Sequence, residues 1–387
     1  MKRILYVSDV MLNHYNSIRD ILYNTIKTVD SLEYEQVIMK SFQRCYNATE
    51  IECFDKIKVY STKSQSVASV IRRKDISFTE KVNYCFSRFL NVLSKRIGKK
   101  QQADIIAKTK YLKMILEREK IQMVVFFMCT PDKEYVNLCV KQKIPYISIL
   151  YDTYIGRPGV DKKEGYNTEK FVIDNSAGYY VPDFFYKLYS KTYDTTKVSC
   201  MNLPLLIEKQ LVSEAYRTTK FDYSFTYFGQ IQSFRNGDVV KQLFKDLNIT
   251  LDIFSTEKID SDDVFRLHPA VTNRELYNVV AGSKYLVAFD NSPPYQDYLP
   301  SKAYLYVSFT KPIIVFGNNE NSALRDFLSN YPWVYYQNIN ESTEGLAEFL
   351  KKDIPDSFDE SVYSRFSDYL PTNALEPIIN NIKRVIG

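Results

Sequence analysis

The chain has 387 residues, of which 45% are hydrophobic and 25% charged, and a formal net charge of +5. Its length exceeds what one hydrophobic core usually serves, which predicts two domains, and its composition excludes a disordered or low-complexity chain. No apolar run reaches the roughly 18 residues of a membrane span, and the N-terminal MKRILYVSDV alternates as a strand does rather than forming a signal peptide, so a cytoplasmic protein is expected.

Short runs rich in Val, Ile and Tyr recur at 3–8, 36–42, 57–61, 122–128, 145–150 and 177–181. Between the first two, Ile18, Ile21, Leu22, Ile26 and Val29 share one face of a helix over 16–29, and a second helix is expected over 103–119. Strands alternating with helices predict a parallel sheet with crossover helices, so the first half reads as one doubly wound domain. Between Arg72 and Lys100, nine Lys or Arg stand against Asp75 and Glu80, interleaved with Phe86, Phe89, Leu90, Val92, Leu93 and Ile97. The pattern fits a basic amphipathic helix on an anionic membrane surface and, equally, a solvated helix packed on its own domain. No nucleic-acid-binding motif accompanies the charge, so no nucleic-acid partner is expected. The six cysteines (Cys45, Cys53, Cys85, Cys129, Cys139, Cys200) show no C-x-x-C spacing and predict buried free thiols and no structural metal.

Around 203–220 the strand pattern lapses into a Pro-containing, charged stretch that reads as a linker. A second series follows, with strands expected at 223–228, 250–254, 264–268, 284–289, 312–316 and 333–337, and helices near 237–247, 272–281, 301–309, 322–329 and 343–352. Thr272 and Glu275 have the spacing of a capping box, and Gly282 supplies a stop. A last helix over 374–386 follows Pro371 and is expected to cross back to the first domain. The expected organisation is a first domain over 1–203, a second over 204–370, and the returning helix over 371–387.

Ligands of open parallel sheets bind beyond the carboxyl ends of the strands, so the loops there carry the search for chemistry. After the strand 223–228, Gly229 lets the backbone approach a diphosphate, and Arg235 adds forked donors near the next helix start; the plain alternative is a strand–turn–helix with a surface arginine. After 284–289, the polar loop from Asp290 ends at Pro300-Ser301-Lys302, where Ser301 is a candidate N-cap beside free backbone N–H groups and Lys302; the alternative is an ordinary capped helix. His268, at the end of 264–268, is suited to a phosphate or base contact, or is a structural histidine. In the first half, His14 lies in the loop after the first strand and Asp152 follows 145–150; Asp152 is a candidate general base, and both also suit turn or cap roles. Asp260-Ser261-Asp262 has the form of a metal-binding Asp-x-Asp but is read as chance in a charged loop.

At these loops the second half resembles the GT-B glycosyltransferases, and within them the family 4-like enzymes of bacterial surface-polysaccharide assembly. Gly229 followed six residues later by Arg235 matches the family's diphosphate-binding turn, although Gln230 stands where a companion arginine is common. Leu299-Pro300-Ser301-Lys302 through Lys311-Pro312-Ile313-Ile314 looks like its donor-binding helix. The Glu-x7-Glu pair of retaining members is replaced by Asp297 and Leu305, so the carboxylate that holds the donor ribose is missing and retention against inversion stays open. The resemblance implies an α/β, GT-B chain of two doubly wound Rossmann-like domains facing a central cleft. It implies transfer of a sugar from a nucleotide-diphosphate donor, expected to be of UDP type, to a hydroxyl of a lipid-linked glycan, with no further cofactor. Gly229, Arg235, His268, Asp297, Ser301 and Lys302 would bind the donor, His14 and Asp152 would act at the reacting centre, and the protein would work at the inner face of the cell membrane. A non-catalytic GT-B-like subunit supporting an active transferase is the main alternative; a sugar-nucleotide epimerase of the same fold ranks last, because the donor loops offer mainly Asp290 and Asp297 as carboxylates.

Overall fold

The computed structural model describes residues 2–8, 17–30, 34–40, 57–61, 100–128, 133–152, 161–231, 237–255, 262–269, 271, 273–293, 295–352 and 357–387. His14, Arg235, Thr272, Asp260, four of the six cysteines and all of the basic stretch except Lys100 lie outside these residues. The chain divides into two units, one of Met1–Pro182, Leu188–Met201 and Leu375–Gly387, the other of Asp183–Lys187 and Asn202–Ala374. No helix among the described residues is long and apolar enough to cross a membrane.

In the first unit the strands are β1 (Arg3–Ser8), β2 (Glu35–Lys40), β3 (Ile57–Ser61), β4 (Met123–Phe127), β5 (Tyr146–Ile149), β6 (Gly178–Pro182) and β7 (Val198–Met201). They form one parallel sheet in the order β3-β2-β1-β4-β5-β6-β7. Ile4 to Val7 and Met123 to Phe127 are fully buried, as expected of central strands covered on both faces. The sequence reading missed β7, in which Val198 and Met201 are buried but Ser199 and Cys200 face solvent, so no apolar run marks it. Cys200 also departs from the expected burial of the thiols; Cys139 is buried, and burial pushes its thiol up to about 12.

Two polar clusters tie this unit together. Glu169, on the helix Lys162–Asn175, is fully buried and accepts hydrogen bonds from the hydroxyls of Tyr179, Tyr189 and Tyr193 at 3.0, 2.6 and 3.0 Å. The last helix, Glu376–Ile386, lies against β6, where the Asn381 side-chain amide donates to Ala177 O (3.1 Å) and Tyr180 Oη (2.7 Å). A β-carbon on Gly178 would overlap that amide, which accounts for glycine at the start of β6.

The second unit has β8 (Tyr223–Phe228), β9 (Leu251–Ser255), β10 (Phe265–Pro269), β11 (Ser283–Phe289), β12 (Ile313–Gly317) and β13 (Val334–Asn338), parallel in the order β10-β9-β8-β11-β12-β13. Side chains alternate between faces along each strand, and two separate cores follow. Phe228, Phe254, Leu286, Ile313 and Val315 enter one cluster, and Tyr227, Ile253, Val287, Ile314 and Phe316 the other. Both units are therefore Rossmann-like, and in the second the order reverses at β8, between β9 and β11.

Two local expectations are corrected and a third is refined. The stretch read as a linker contains the helix Lys209–Thr218, whose Val212 and Ala215 join the core; Pro204 and the surrounding charges hid its apolar face. Gly282 follows the helix Asn273–Ala281 but does not act as a left-handed stop: a β-carbon there would overlap the backbone of Phe221, so close approach requires the glycine. Ser301 does not cap the helix Lys302–Ser308: its backbone is already helical, its side chain makes no capping bond, and Ala303 N–H instead closes a turn on Pro300 O at 2.9 Å.

Candidate functional site

The carboxyl ends of β8 and β11 meet where the strand order reverses, the place at which open α/β sheets bind ligands. β8 stops at Gly229, whose φ of +105° is a conformation side chains rarely adopt, and whose N–H donates to Phe254 O at 2.8 Å. Tyr227 Oη donates to Gln230 O at 2.7 Å and fixes the following turn. Lys302 crosses Gly229, with Cε and Nζ in the space a β-carbon would fill and Nζ 5.8 Å from the centre of the Tyr227 ring. Two of the sequence-predicted residues, far apart in the chain, are thus brought to one point: a glycine that opens the backbone and a cation beside it.

The loop after β11 is folded on itself. Asp290 N–H donates to Phe316 O at 2.8 Å, Asn291 N–H to Asp290 Oδ1 at 2.9 Å, and the Asn291 amide to Tyr298 O at 2.8 Å. Burial raises the Asp290 carboxyl above its ordinary value, while the nearby Ser322 hydroxyl, Asn291 N–H and Arg325 charge pull the other way. Its Oδ2 is buried without a hydrogen bond among the described residues. Arg325 stacks on Tyr336 with its guanidinium carbon 4.4 Å from the ring centre, and burial pushes that phenol up to about 12. Asp297 is exposed in a turn of this loop. Leu305 packs against the core cluster around Ala303, Tyr306 and Val307, so the position that holds a ribose-binding glutamate in the GT-B resemblance is here a packing position.

His268 lies on the edge strand β10, two strands from β8. Its Nε2 is 2.7 Å from Asp252 Oδ1, and its ring stacks on Phe254 at 4.6 Å and 13° and meets Tyr223 edge-on at 5.6 Å. Arg266 approaches the same Asp252 oxygen at 3.5 Å. Asp252 was missed by sequence reasoning, yet it left a signal: a charged residue inside the apolar strand LDIFS, where it is 4% exposed.

Asp152 belongs to the first unit, half-buried just beyond β5, beside Tyr151, whose ring packs on Phe127 at 5.4 Å. His14 and Arg235 fall outside the described residues. Of the Asp-x-Asp triplet, Asp262 serves a turn: its Oδ1 accepts from Val264 and Phe265 N–H at 2.9 and 2.8 Å, and its Oδ2 pairs with Lys241 at 2.5 Å. The Lys241 bond, with the turn N–H groups, holds its carboxyl down at about 2. No group of His, Cys, Asp or Glu among the described residues has the arrangement of a metal site.

Neither a protein-family model nor a curated protein matches the sequence. Solved structures do match over the whole chain. A glycosyltransferase from Rickettsia africae ESF-5 superposes with a TM-score of 0.65 at 10% identity, covering 100% of this chain and 98% of that one. Anabaena Alr3699/HepE, solved with UDP and glucose, gives 0.62 at 8% identity, covering 99% and 100%. UDP-GlcNAc 2-epimerase from Neisseria meningitidis, bound to UDP-GlcNAc, gives 0.54 at 12% identity, again covering 99% and 100%. At such identities the likeness establishes architecture alone: two Rossmann-like sheets in the GT-B fold, a fold common to glycosyltransferases and UDP-GlcNAc 2-epimerases.

Proposed function

We propose that the chain is a sugar-nucleotide enzyme, and specifically a glycosyltransferase that moves a sugar from a nucleotide-diphosphate donor to a hydroxyl of a lipid-linked glycan. The observation that carries this reading is the meeting of Gly229 and Lys302 at the carboxyl edge where the strand order reverses. A bare backbone at φ +105° and an adjacent ammonium suit a diphosphate, whose negative charge grows as the sugar departs and is stabilised by fixed positive groups. Arg235, six residues beyond Gly229, is proposed as a second cation on that diphosphate. UDP is the proposed nucleotide, in keeping with the UDP bound by HepE and the UDP-GlcNAc bound by the Neisseria epimerase. Asp152 and His14 remain the proposed reacting-centre residues of the first domain, with Asp152 taking the acceptor proton if the reaction inverts. The basic stretch 72–100 is the proposed membrane contact.

Transfer and epimerisation separate cleanly by products. Incubating the protein with UDP-sugars and lipid-linked acceptors is expected to give acceptor-dependent UDP release and a lengthened glycan, both lost in Lys302→Ala and Arg235→Ala. A 2-epimer formed from UDP-GlcNAc without acceptor would replace this reading with an epimerase. Nucleotide binding with no turnover, together with co-purification of an active transferase, would replace it with a non-catalytic subunit.

A further inference from the structure

We propose that Asp252 is a positioning residue that fixes His268 in one tautomer, so that His268 reads a hydrogen-bond donor on the nucleoside of the sugar nucleotide and makes no contact with its phosphates. The inference rests on the donor site proposed above.

An aspartate carboxylate only accepts hydrogen bonds, so the 2.7 Å contact puts the hydrogen of the neutral imidazole on Nε2. The stack on Phe254 and the edge contact from Tyr223 hold the ring plane. Nδ1 is left as a lone pair without a hydrogen bond among the described residues, on a side chain that is 24% exposed. A lone pair accepts from an imide N–H or a ribose hydroxyl; it offers nothing to a phosphate oxygen.

The register places the backbone of His268 near the carboxyl end of β10, level with the residue before the diphosphate turn. Phe228 is paired with Phe254 and Phe254 with His268, so the three form one row across the sheet, beginning at the residue before Gly229. Their rings stack in series, Phe228 on Phe254 at 5.4 Å and 23° and Phe254 on His268 at 4.6 Å and 13°. Two strand spacings put the His268 backbone roughly 10 Å across the sheet from the diphosphate turn, comparable to the separation of a diphosphate from its base.

The chain has two histidines, so a nitrogen-15 spectrum of the labelled imidazoles is assigned by one variant, His14→Gln. The expected result at neutral pH is His268 protonated on Nε2, changing to a mixture of tautomers in Asp252→Asn; a wild-type ring protonated on Nδ1 overturns the proposal. In titrations with UDP, uridine and inorganic pyrophosphate, Asp252→Asn and His268→Ala are expected to weaken UDP and uridine by about tenfold and leave pyrophosphate unchanged. Equal weakening of pyrophosphate, or unchanged uridine binding, refutes the nucleoside contact. If wild-type protein binds neither UDP nor pyrophosphate, the donor-site reading fails and the nucleoside contact with it, while the spectrum still decides separately whether Asp252 sets the tautomer.

Discussion

Lys302 lies across Gly229 so closely that a single added methyl group on the glycine would overlap the end of the lysine side chain. Gly229→Ala is therefore expected to act twice, by straining a backbone held at φ +105° and by moving the ammonium off the turn. Nucleotide-diphosphate affinity should fall about tenfold, a loss of about 1.4 kcal/mol. Because both residues serve one point, Lys302→Ala added to Gly229→Ala should cost little more than either alone. Calorimetric titration of the two single variants and the double variant checks this; losses that simply add would separate the residues.

Asp290 sets a pH dependence with a definite sign. Burial raises its folded carboxyl above the ordinary value of 3.8, so the native state keeps this proton to higher pH than the unfolded chain does. Stability is then favoured at low pH and declines as pH rises from 3.8 through the folded value. Asp290→Asn keeps an acceptor for Asn291 N–H and removes the buried charge, so it should stabilise the protein by about 1 kcal/mol at pH 7 and by less near pH 4. Asp183, also raised by burial, is present in both proteins and cancels in the difference. Urea midpoints at the two pH values test the sign, and a larger gain at pH 4 would contradict it.

Glu169 gathers three tyrosine hydroxyls onto two oxygens inside the first unit. Removing one donor leaves the carboxylate its bonds from the other two hydroxyls, so Tyr189→Phe should cost about 1–2 kcal/mol. Glu169→Gln presents an amide N–H₂ where a hydroxyl expects an acceptor, and should cost more, about 2–3 kcal/mol. Equilibrium unfolding of the two variants decides the order; a milder glutamine than phenylalanine would mean that the carboxylate is not the hub.

Much of this architecture was legible because apolar runs and turn residues repeat at the spacing a doubly wound sheet requires. β8 to β13 fall within a residue or so of the expected runs, and Phe228 and Tyr227, or Ile313 and Ile314, separate to opposite faces as period two demands. What escaped has both local and distant causes. The edge strand β7 has no apolar run, and Ser301 looks like a cap until the turn from Pro300 makes it helical. Gly282 does follow the last helical residue, but its need to make room for Phe221 has no sign in the sequence. At the candidate site the sequence pointed separately to Gly229 and Lys302 but not to their contact, and to His268 but not to Asp252, because only the folded chain brings these side chains together.

Thr310 follows the helix Lys302–Ser308 in a left-handed conformation, φ +49°, a position that usually belongs to glycine and is strained for a β-branched side chain. The compensation is its fully buried hydroxyl, which accepts from Asp359 N–H at 2.9 Å. Asp359 in turn caps the helix Glu360–Ser364 through Ser361 and Val362 N–H. Thr310→Gly should relieve about 1–2 kcal/mol of strain while losing a hydrogen bond worth about 1 kcal/mol, leaving stability within about 1 kcal/mol of wild type. Thr310→Val keeps the strain and loses the bond, and should destabilise by about 1–2 kcal/mol. The two variants therefore isolate opposite halves of the balance: thermal or urea unfolding should rank glycine above valine, and a valine variant as stable as wild type would remove the hydroxyl from the account of why threonine stands there.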